Sequence, residues 1–204
     1  MNNIILQIGS HIGNTINDPI FHSLQKEDVL ILVEPVPWLF EQLQENYKKR
    51  TDIQHVHFIN KAVSDRVGEI VLTVPSMEND FSKLPYWATQ IASVNENHAR
   101  AHQIGLITEK ITVPTITINA IIEEYDIQSI KLLHTDTEGH DYDILMSYDF
   151  CIKPKRILFE HMHMDGFKTI GTKFFTLVKR LMALGYQVDI ENVTQREDTE
   201  CLLV

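Results

Sequence analysis

The feature that most constrains the fold is a stretch near the N-terminus, IILQIGSHIGNT, at residues 4–15. A short apolar run ends there in two glycines four positions apart, Gly9 and Gly13. Apolar runs of this length that end in glycine are typical of a strand buried on both faces of a parallel sheet. Glycine lets the backbone turn sharply and lets a ligand approach the main chain closely. The stretch therefore predicts a ligand site at the carboxyl end of a parallel strand.

The spacing of the glycines narrows the kind of ligand. The chain has G-x-x-x-G at this turn, and it contains neither the G-x-G-x-x-G of dinucleotide sites nor the G-K-[ST] of a phosphate loop. A glycine turn without a phosphate-binding pattern favours a cofactor that lacks a pyrophosphate, and S-adenosylmethionine (SAM) is the commonest of these. Strand-to-helix turns that bind nothing can also carry two glycines, so this turn alone leaves both interpretations open.

Composition limits the class of partner and the compartment. The net charge of −10 argues against nucleic acid or an anionic membrane as the main partner, because both would repel the chain. Two cysteines are too few for a disulfide framework, and no segment has the pattern of a signal peptide or a membrane span. We therefore expect a single cytoplasmic domain over residues 1–204.

The first half of the chain alternates strand and helix patterns. Apolar runs at 29–33 and 56–59 predict two further strands, and the spacing at 38–49 predicts a helix between them. An Asp-Pro pair at 18–19 predicts the start of a short helix over 20–25. Short connections of this kind imply right-handed crossovers and a parallel sheet, so the predicted fold class is α/β.

The second half departs from this alternation and then resumes it. Strand patterns lie at 70–74, 111–118, 130–134, 156–159, 187–190 and 201–204, and helix patterns at 119–125, 142–147 and 172–184. Pro114 predicts an edge position for the strand that contains it, and the last two strands predict an antiparallel hairpin. In the last helix, which Gly185 is expected to end, four residues are predicted to face the core: Phe175, Val178, Leu181 and Met182.

Polar or acidic groups follow five of these strands. Because ligands of open α/β sheets bind beyond the carboxyl ends of the strands, these groups are expected to surround one site. Glu34, at the end of the second strand, can accept hydrogen bonds from both hydroxyls of a ribose. Capping of the following helix is the alternative role for Glu34, although Pro35 makes a plain cap less natural.

Several motifs together carry a family resemblance. IGSHIGN, VEPVPWLFEQLQENY, NKAVSD, HTDTEGHDYDIL and ILFEH follow one another along nearly the whole chain. In this order and spacing they resemble the FkbM-type SAM-dependent methyltransferases. The resemblance implies a Rossmann-like class I sheet of order 3-2-1-4-5-7-6, with the last strand antiparallel and a segment inserted after the third strand. It also implies methylation of a hydroxyl, or sometimes a carboxyl, on a small molecule or sugar.

The resemblance also assigns the methionine end of the cofactor. Gly9, Ser10 and Gly13 would line that end of SAM. Such loops commonly carry an acidic residue two positions before the first glycine, and here that position is Gln7. The methionine ammonium therefore lacks its usual anion, and Asp18 could supply one.

The remaining cofactor contacts follow from the same resemblance. Glu34 would hold the ribose, and backbone groups of Ala62 and Val63 would meet the adenine edge. Asp136 would lie beside the sulfonium and the acceptor. A non-catalytic binding module of the same fold, supported by Gln7, and an NAD-linked oxidoreductase remain as alternative functions.

Methyl transfer to a hydroxyl needs a nearby base, because the acceptor must lose its proton. The candidates are Asp136, Glu138, His140, Glu160 and His161, of which Asp136, His161 and Glu138 are the predicted catalytic residues. Glu138 could instead cap the helix that follows, and His161 could be a histidine satisfied at a strand end. A metal site is a further alternative, because His161 and His163 face one side of an extended segment with Asp136 and Glu160 close by in the fold. Oxygen ligands would suit Mg²⁺ or Mn²⁺, and two imidazoles would suit Zn²⁺ or Fe. The spacing of the two histidines matches no closed ligand motif, so no metal is predicted.

The polar segment 75–110 interrupts the strand and helix pattern. We expect it to form a lid or acceptor pocket, with Tyr86, Trp87, Gln90 and Ser93 facing inward and the last three binding substrate. The alternative is a surface excursion that packs Trp87 on the outside of the sheet.

Overall fold

The computed structural model describes residues 3–53 and 55–204. In this part of the chain there are ten strands and five α-helices. They are β1 (Asn3–Ile8), β2 (Asp28–Val33), α1 (Pro37–Lys48), β3 (His55–Ile59), β4 (Ala62–Val63), β5 (Gly68–Pro75), α2 (His98–Ala101), β6 (Thr108–Ile116), α3 (Ile118–Glu124), β7 (Ile130–Thr135), α4 (Asp141–Ser147), β8 (Arg156–Glu160), α5 (Thr172–Ala183), β9 (Tyr186–Val188) and β10 (Asp198–Leu203). None of the helices in these residues is long and apolar enough to cross a membrane.

Seven strands form one sheet with β1 near its middle. The order is β3-β2-β1-β7-β8-β10-β9, and β10 runs antiparallel to both of its neighbours while the other pairs are parallel. Alternation along β1 explains its central position, because Leu6 and Ile8 join the core on one face and Ile5 joins the core on the other. The prediction of a strand buried on both faces is confirmed.

In chain numbering this order is 3-2-1-7-8-10-9, which differs from the expected 3-2-1-4-5-7-6. The numbers differ because β4, β5 and β6 come between β3 and β7 in the chain and form a separate three-stranded sheet, β4-β6-β5. The antiparallel strand at the C-terminal hairpin agrees with the prediction.

The second sheet corrects the expectation for Pro114. The strand β6 lies in the middle of this sheet, not at its edge. Proline is tolerated there because the two residues of β4 pair only with Thr115 and Ile116, so Pro114 has a partner strand on one side alone, opposite Glu69.

Two helix predictions also need correction. Residues 20–23 form turns and residues 24–25 are irregular, because a segment this short has little helix stability of its own. In α5, Phe175 and Met182 are 57% and 60% exposed, and Phe174 and Leu177 take the buried positions beside Val178 and Leu181. Adjacent phenylalanines left the phase of the apolar stripe ambiguous in the sequence. Gly185, with φ of +100°, follows the end of the helix as predicted.

Candidate functional site

A cavity of about 560 Å³ lies at the carboxyl ends of the parallel strands. Residues that follow β1, β2, β7 and β8 line it, as the positions of Gly9, Glu34, Asp136 and Glu160 show. The connection between β5 and β6 covers part of it. The cavity therefore lies at the edge of the sheet where the sequence predicted a ligand site.

Gly9 allows two strand ends to approach each other at the bottom of this cavity. Its φ is +79°, and a Cβ at this position would lie 1.8 Å from the carbonyl oxygen of Asp136. The N–H of Asp136 donates to the carbonyl of Ile8 at 3.0 Å, which joins the same two loops. Only glycine fits here, because both the backbone conformation and the space exclude a side chain.

Gly13 has a different role from the one the resemblance implied. A Cβ there would lie 2.5 Å from Leu43 Cδ1 and 2.6 Å from Tyr47 Cε2, so Gly13 packs the loop on α1 and lies outside the cavity lining. Ser10 does line the cavity, and its hydroxyl donates to the carbonyl of Gln7.

Glu34 is buried, and its carboxylate faces the cavity. It accepts hydrogen bonds at 2.9 Å from the N–H of His11 and from the N–H of Val36, the residue before α1. The Asn60 amide donates to the carbonyl of Glu34 at 2.8 Å. Burial raises the pKa of Glu34 to about 7, although the two N–H donors oppose this rise. Glu34 therefore stabilises the start of α1 and still presents oxygen atoms to the cavity.

Gln7 and Asp18 lie together on the wall of the cavity. The Gln7 amide donates to Asp18 Oδ2 at 2.9 Å, and Asp18 Oδ1 accepts from the N–H groups of Ile20 and Phe21. Gln7 is buried, and its Oε1 has no hydrogen-bond partner among the described residues. Burial raises the pKa of Asp18. An amide oxygen of Gln7 and a carboxylate oxygen of Asp18 therefore lie together at the position where such loops commonly carry an acidic residue.

The predicted adenine contacts, Ala62 and Val63, form β4 and line the cavity. Their backbones pair with Thr115 and Ile116 of β6, so the second sheet holds them at this wall.

Two carboxylates with raised pKa values lie at the ends of β7 and β8. Burial and the neighbouring charges of Glu138 and Glu160 raise the pKa of Asp136 well above its ordinary value. Burial, with the charge of Asp141, raises the pKa of Glu160 to about 7 despite its contact with His163. With a pKa of about 7, Glu160 can exchange a proton near neutral pH.

Glu138 lies among three histidines. Its Oε2 is 2.6 Å from His98 Nε2 and 3.3 Å from His163 Nδ1, and His98 Nε2 lies 3.3 Å from His102 Nε2. Burial raises the pKa of Glu138, but contacts with His163 and His98 outweigh it and hold the pKa at about 2. The capping alternative is not observed, because His140 is the N-cap residue of α4, no side chain among the described residues caps this helix, and the Glu138 carboxylate contacts His98 and His163 instead.

Sequence reasoning missed His98 and His102 as members of the site, and it considered His163 only together with His161. The available signal was the four-residue spacing of His98 and His102 in a helix-like segment, which places both on one face of a helix. Which strand-end loop they would meet could not be inferred from spacing alone.

His161 does not reach the cavity, in contrast to its prediction as a catalytic residue. Its ring is buried, with Nε2 2.9 Å from the carbonyl of Val193 and Nδ1 3.1 Å from the Thr199 hydroxyl. Alternation at the end of β8 turns Glu160 to the cavity and His161 to its far side. His161 is therefore a histidine whose two ring nitrogens both have hydrogen-bond partners at a strand end, which is the alternative that the sequence left open. His140 does line the cavity, with Nε2 3.0 Å from Ser64 Oγ.

The connection between β5 and β6 is attached to the strand-end loops by side chains. Trp87 and Gln90 line the cavity, as predicted. Asn17 donates to the Tyr86 hydroxyl at 3.0 Å, and His11 Nε2 lies 3.0 Å from Thr89 Oγ1. The predicted substrate contact Ser93 lies outside the lining, because its hydroxyl donates to the backbone carbonyl of Glu138 at 2.8 Å. Ser93 therefore holds the connection in place.

Comparison with known proteins shows the family. A family model described as "Methyltransferase FkbM domain" matches residues 7–188. A search of curated proteins found no match. A solved structure of methyltransferase FkbM from Methylobacillus flagellatus KT is similar in fold, at 12% identity and a TM-score of 0.57. The similarity covers 98% of this chain and 43% of that protein, so the chain spans less than half its length.

Two other structures give weaker similarity. Aeropyrum pernix fibrillarin, solved with natively bound S-adenosyl-L-methionine, has 12% identity and a TM-score of 0.47 over 100% of this chain and 66% of that one. Precorrin-6y C5,15-methyltransferase from Geobacter metallireducens has 11% identity and a TM-score of 0.46 over 98% and 80%. The family model spans the glycine turn, Glu34, β4 and the loops after β7 and β8. The chain therefore belongs to the FkbM methyltransferase domain family.

Proposed function

We propose that this protein uses SAM to methylate a hydroxyl or carboxyl oxygen of a small molecule or sugar. The observation that carries the proposal is one cavity that brings together Glu34, the Gln7–Asp18 pair and Asp136. Each of these groups suits a different part of the cofactor, and all lie at the sheet edge where α/β folds bind nucleosides.

The polar atoms of the cavity fit SAM. Glu34 uses one lone pair on each carboxylate oxygen for backbone N–H groups, and the remaining lone pairs can accept two ribose hydroxyls. Gln7 Oε1, unpartnered among residues 3–53 and 55–204, and Asp18 Oδ2 are acceptors suited to an ammonium. The backbones of Ala62 and Val63 would meet the adenine.

For methyl transfer, the protein must mainly align the acceptor oxygen with the methyl carbon. When bound, SAM would supply a methyl carbon activated by a sulfonium, with S-adenosylhomocysteine as the leaving group. A cation beside Asp136 favours its ionised form, which offsets the effect of burial on its pKa. Asp136 can then take the proton of a hydroxyl acceptor, whose oxygen pair forms the new bond. A carboxylate acceptor needs no such transfer.

The connection between β5 and β6 supplies the acceptor side in this proposal. Trp87 and Gln90 face the cavity from this segment, and its bonds to the loops at Asn17, His11 and Glu138 close that side. A closed site excludes water and orients the acceptor.

Calorimetry with S-adenosylhomocysteine (SAH) tests the cofactor assignment. Glu34→Ala should weaken binding at least about 30-fold, since hydrogen bonds to a charged group are worth about 1.5–3 kcal/mol each. Glu41→Ala, at an exposed position of α1, is the matched control and should bind as the wild type does. Equal affinity in the Glu34 and Glu41 variants would contradict the ribose assignment.

Turnover separates an enzyme from a binding module. SAM incubated with the protein and a panel of hydroxyl and carboxyl compounds should yield SAH together with an equal amount of methylated product, measured by mass spectrometry. Tight SAH binding without turnover across the panel would favour the non-catalytic alternative.

A further inference from the structure

Four side chains converge where the connection between β5 and β6 meets the loops after β7 and β8. His98 and His102 come from α2 and the residue that ends it, Glu138 follows β7, and His163 follows β8. One ligand atom from each lies within 4.8 Å of all the others. Three separate parts of the chain therefore direct nitrogen and oxygen atoms at one point.

Hydrogen bonds among these groups do not satisfy the ring nitrogens. His98 Nε2 is 2.6 Å from Glu138 Oε2 and 3.3 Å from His102 Nε2. A neutral imidazole nitrogen either donates or accepts, so a proton given to Glu138 leaves His98 Nε2 without a lone pair for His102. The His163 side chain is 9% exposed, and its Nδ1 lies 3.3 Å from Glu138 Oε2 and 3.2 Å from Glu160 Oε1. Neither of its ring nitrogens meets hydrogen-bond geometry with a partner in the described part of the chain. The cluster thus holds ring nitrogens at close range that its own contacts do not satisfy with well-formed hydrogen bonds.

Two of the distances within the cluster match those of a tetrahedral metal site. Ligand atoms about 2.0–2.1 Å from a tetrahedral ion lie about 3.3 Å from one another. His98 Nε2 to His102 Nε2 and His163 Nδ1 to Glu138 Oε2 are both 3.3 Å. The contact between His98 and Glu138, at 2.6 Å, is the one that must lengthen most.

The chemistry of the ligand set indicates the class of ion. Imidazole nitrogens suit zinc, iron, copper and nickel, whereas magnesium and calcium prefer oxygen. Aromatic rings surround the cluster, since Phe167 lies 4.8 Å from the His102 ring and 5.6 Å from the His163 ring, and Trp87 lies 5.0 Å from the His102 ring. An apolar surround of this kind limits access of water to a bound ion.

We propose that His98, His102, Glu138 and His163 bind one divalent transition-metal ion of the zinc class. The proposal goes beyond the proposed function, because binding of the ion requires neither SAM nor an acceptor. Since His102, Glu138 and His163 line the cavity, the ion would face the acceptor side. Its use in holding an acceptor oxygen is a consequence that rests on the proposed function.

Metal counting tests the site directly. The purified chain is stripped with a chelator, offered Zn²⁺ or Mg²⁺ alone, freed of excess by gel filtration and analysed by elemental mass spectrometry. The wild type and the control His55→Gln, at an exposed histidine of β3, should retain about one Zn²⁺ per chain and no Mg²⁺. The double variant His98→Gln, His102→Gln should retain less than about a fifth of that Zn²⁺. Co²⁺ offered instead should give intense visible absorption bands in the wild type and in His55→Gln, and not in the double variant.

The single variant His102→Ala distinguishes loss of the metal site from a folding defect. His102 is only half-buried, and circular dichroism can verify that this variant is folded. Zn²⁺ should raise the melting temperature of the wild type and not that of His102→Ala. Equal zinc content in wild type and double variant, or no zinc in the wild type, would overturn the proposal. SAH calorimetry in the presence of the chelator keeps the two proposals apart, because cofactor binding at Glu34 should persist without the ion.

Discussion

The two sides of the cavity are built in different ways. The proposed cofactor side consists of residues 7–18, Glu34 and residues 62–63. Backbone groups make many of its contacts, as shown by the two N–H groups that donate hydrogen bonds to Glu34. The insertion side, formed by residues 76–107 with the loops at 136–140 and 160–163, depends largely on contacts between side chains, such as His98 with Glu138. Sheet register fixes the first set, and packing of a long connection fixes the second.

This difference predicts that the two sides can be damaged separately. Backbone contacts at strand ends are set by the parallel pairing of β1 with β2 and β7, so a change there should affect the position of the cofactor. Side chains of the insertion can be truncated without moving the sheet. Cofactor affinity and turnover should therefore respond to different substitutions.

The largest effect is expected from Gly9→Ala. The new Cβ would meet the Asp136 carbonyl at 1.8 Å, so the two strand ends must move apart. Because a displacement of about 1 Å can lower a reaction rate about 100-fold, kcat/KM for methyl transfer should fall at least that much, and SAH affinity by calorimetry should fall with it. Gly105→Ala is the matched control, since Gly105 has a similar φ of +70° but nothing within 4 Å of its Cβ position. Similar SAH affinities in the two variants would show that contact with Asp136 is unimportant.

A smaller and one-sided effect is expected from Trp87→Ala. Removing the ring from the insertion side should lower kcat/KM for methyl transfer about tenfold or more, since apolar contacts with substrate are worth about 1–3 kcal/mol. SAH affinity should stay within about twofold, because the ring would contact the acceptor and not the adenosine. Lys83→Ala, at an exposed position of the same segment, is the control. A parallel loss of SAH affinity and turnover would mean that the two sides are not separable.

The smallest effect is a pH dependence of the cofactor side. With its pKa raised to about 7, Glu34 gains its full acceptor strength only as it ionises, so SAH affinity should rise about tenfold between about pH 6 and 8. The sign for stability is opposite. The folded state holds this proton more tightly than the unfolded state, so Glu34 lowers the free energy of unfolding as pH rises from about 4.5 to about 7.

Glu34→Gln is the control for this pH dependence, since the amide does not titrate. The ratio of wild-type to variant affinity, measured by calorimetry at each pH, removes the contributions of other groups. A constant ratio between pH 6 and 8 would exclude Glu34 as the titrating group.

Much of the site could be predicted where a residue directly follows a buried strand. Glu34, Asp136 and Glu160 line the cavity because parallel strands deliver their carboxyl ends to one edge, and apolar runs mark those ends in the sequence. Prediction failed one residue later, at His161, because alternation at the end of β8 turns its ring to the opposite side, where Val193 and Thr199 hydrogen-bond it. It failed also at Ser93, whose partner is a backbone carbonyl 45 positions away.

The sequence by itself determined the α/β class, the central strand, the sheet edge at which the cavity lies and the family, because each follows from local periodicity and from motifs whose residues are close in the chain. Only the tertiary structure decided that β6 lies inside a second sheet, that Phe174 and not Phe175 is buried, and that Gly13 packs on α1. It also decided that His98 and His102 meet Glu138 and His163. Such contacts join residues far apart in the chain, and their geometry depends on how whole elements pack, which local pattern does not encode.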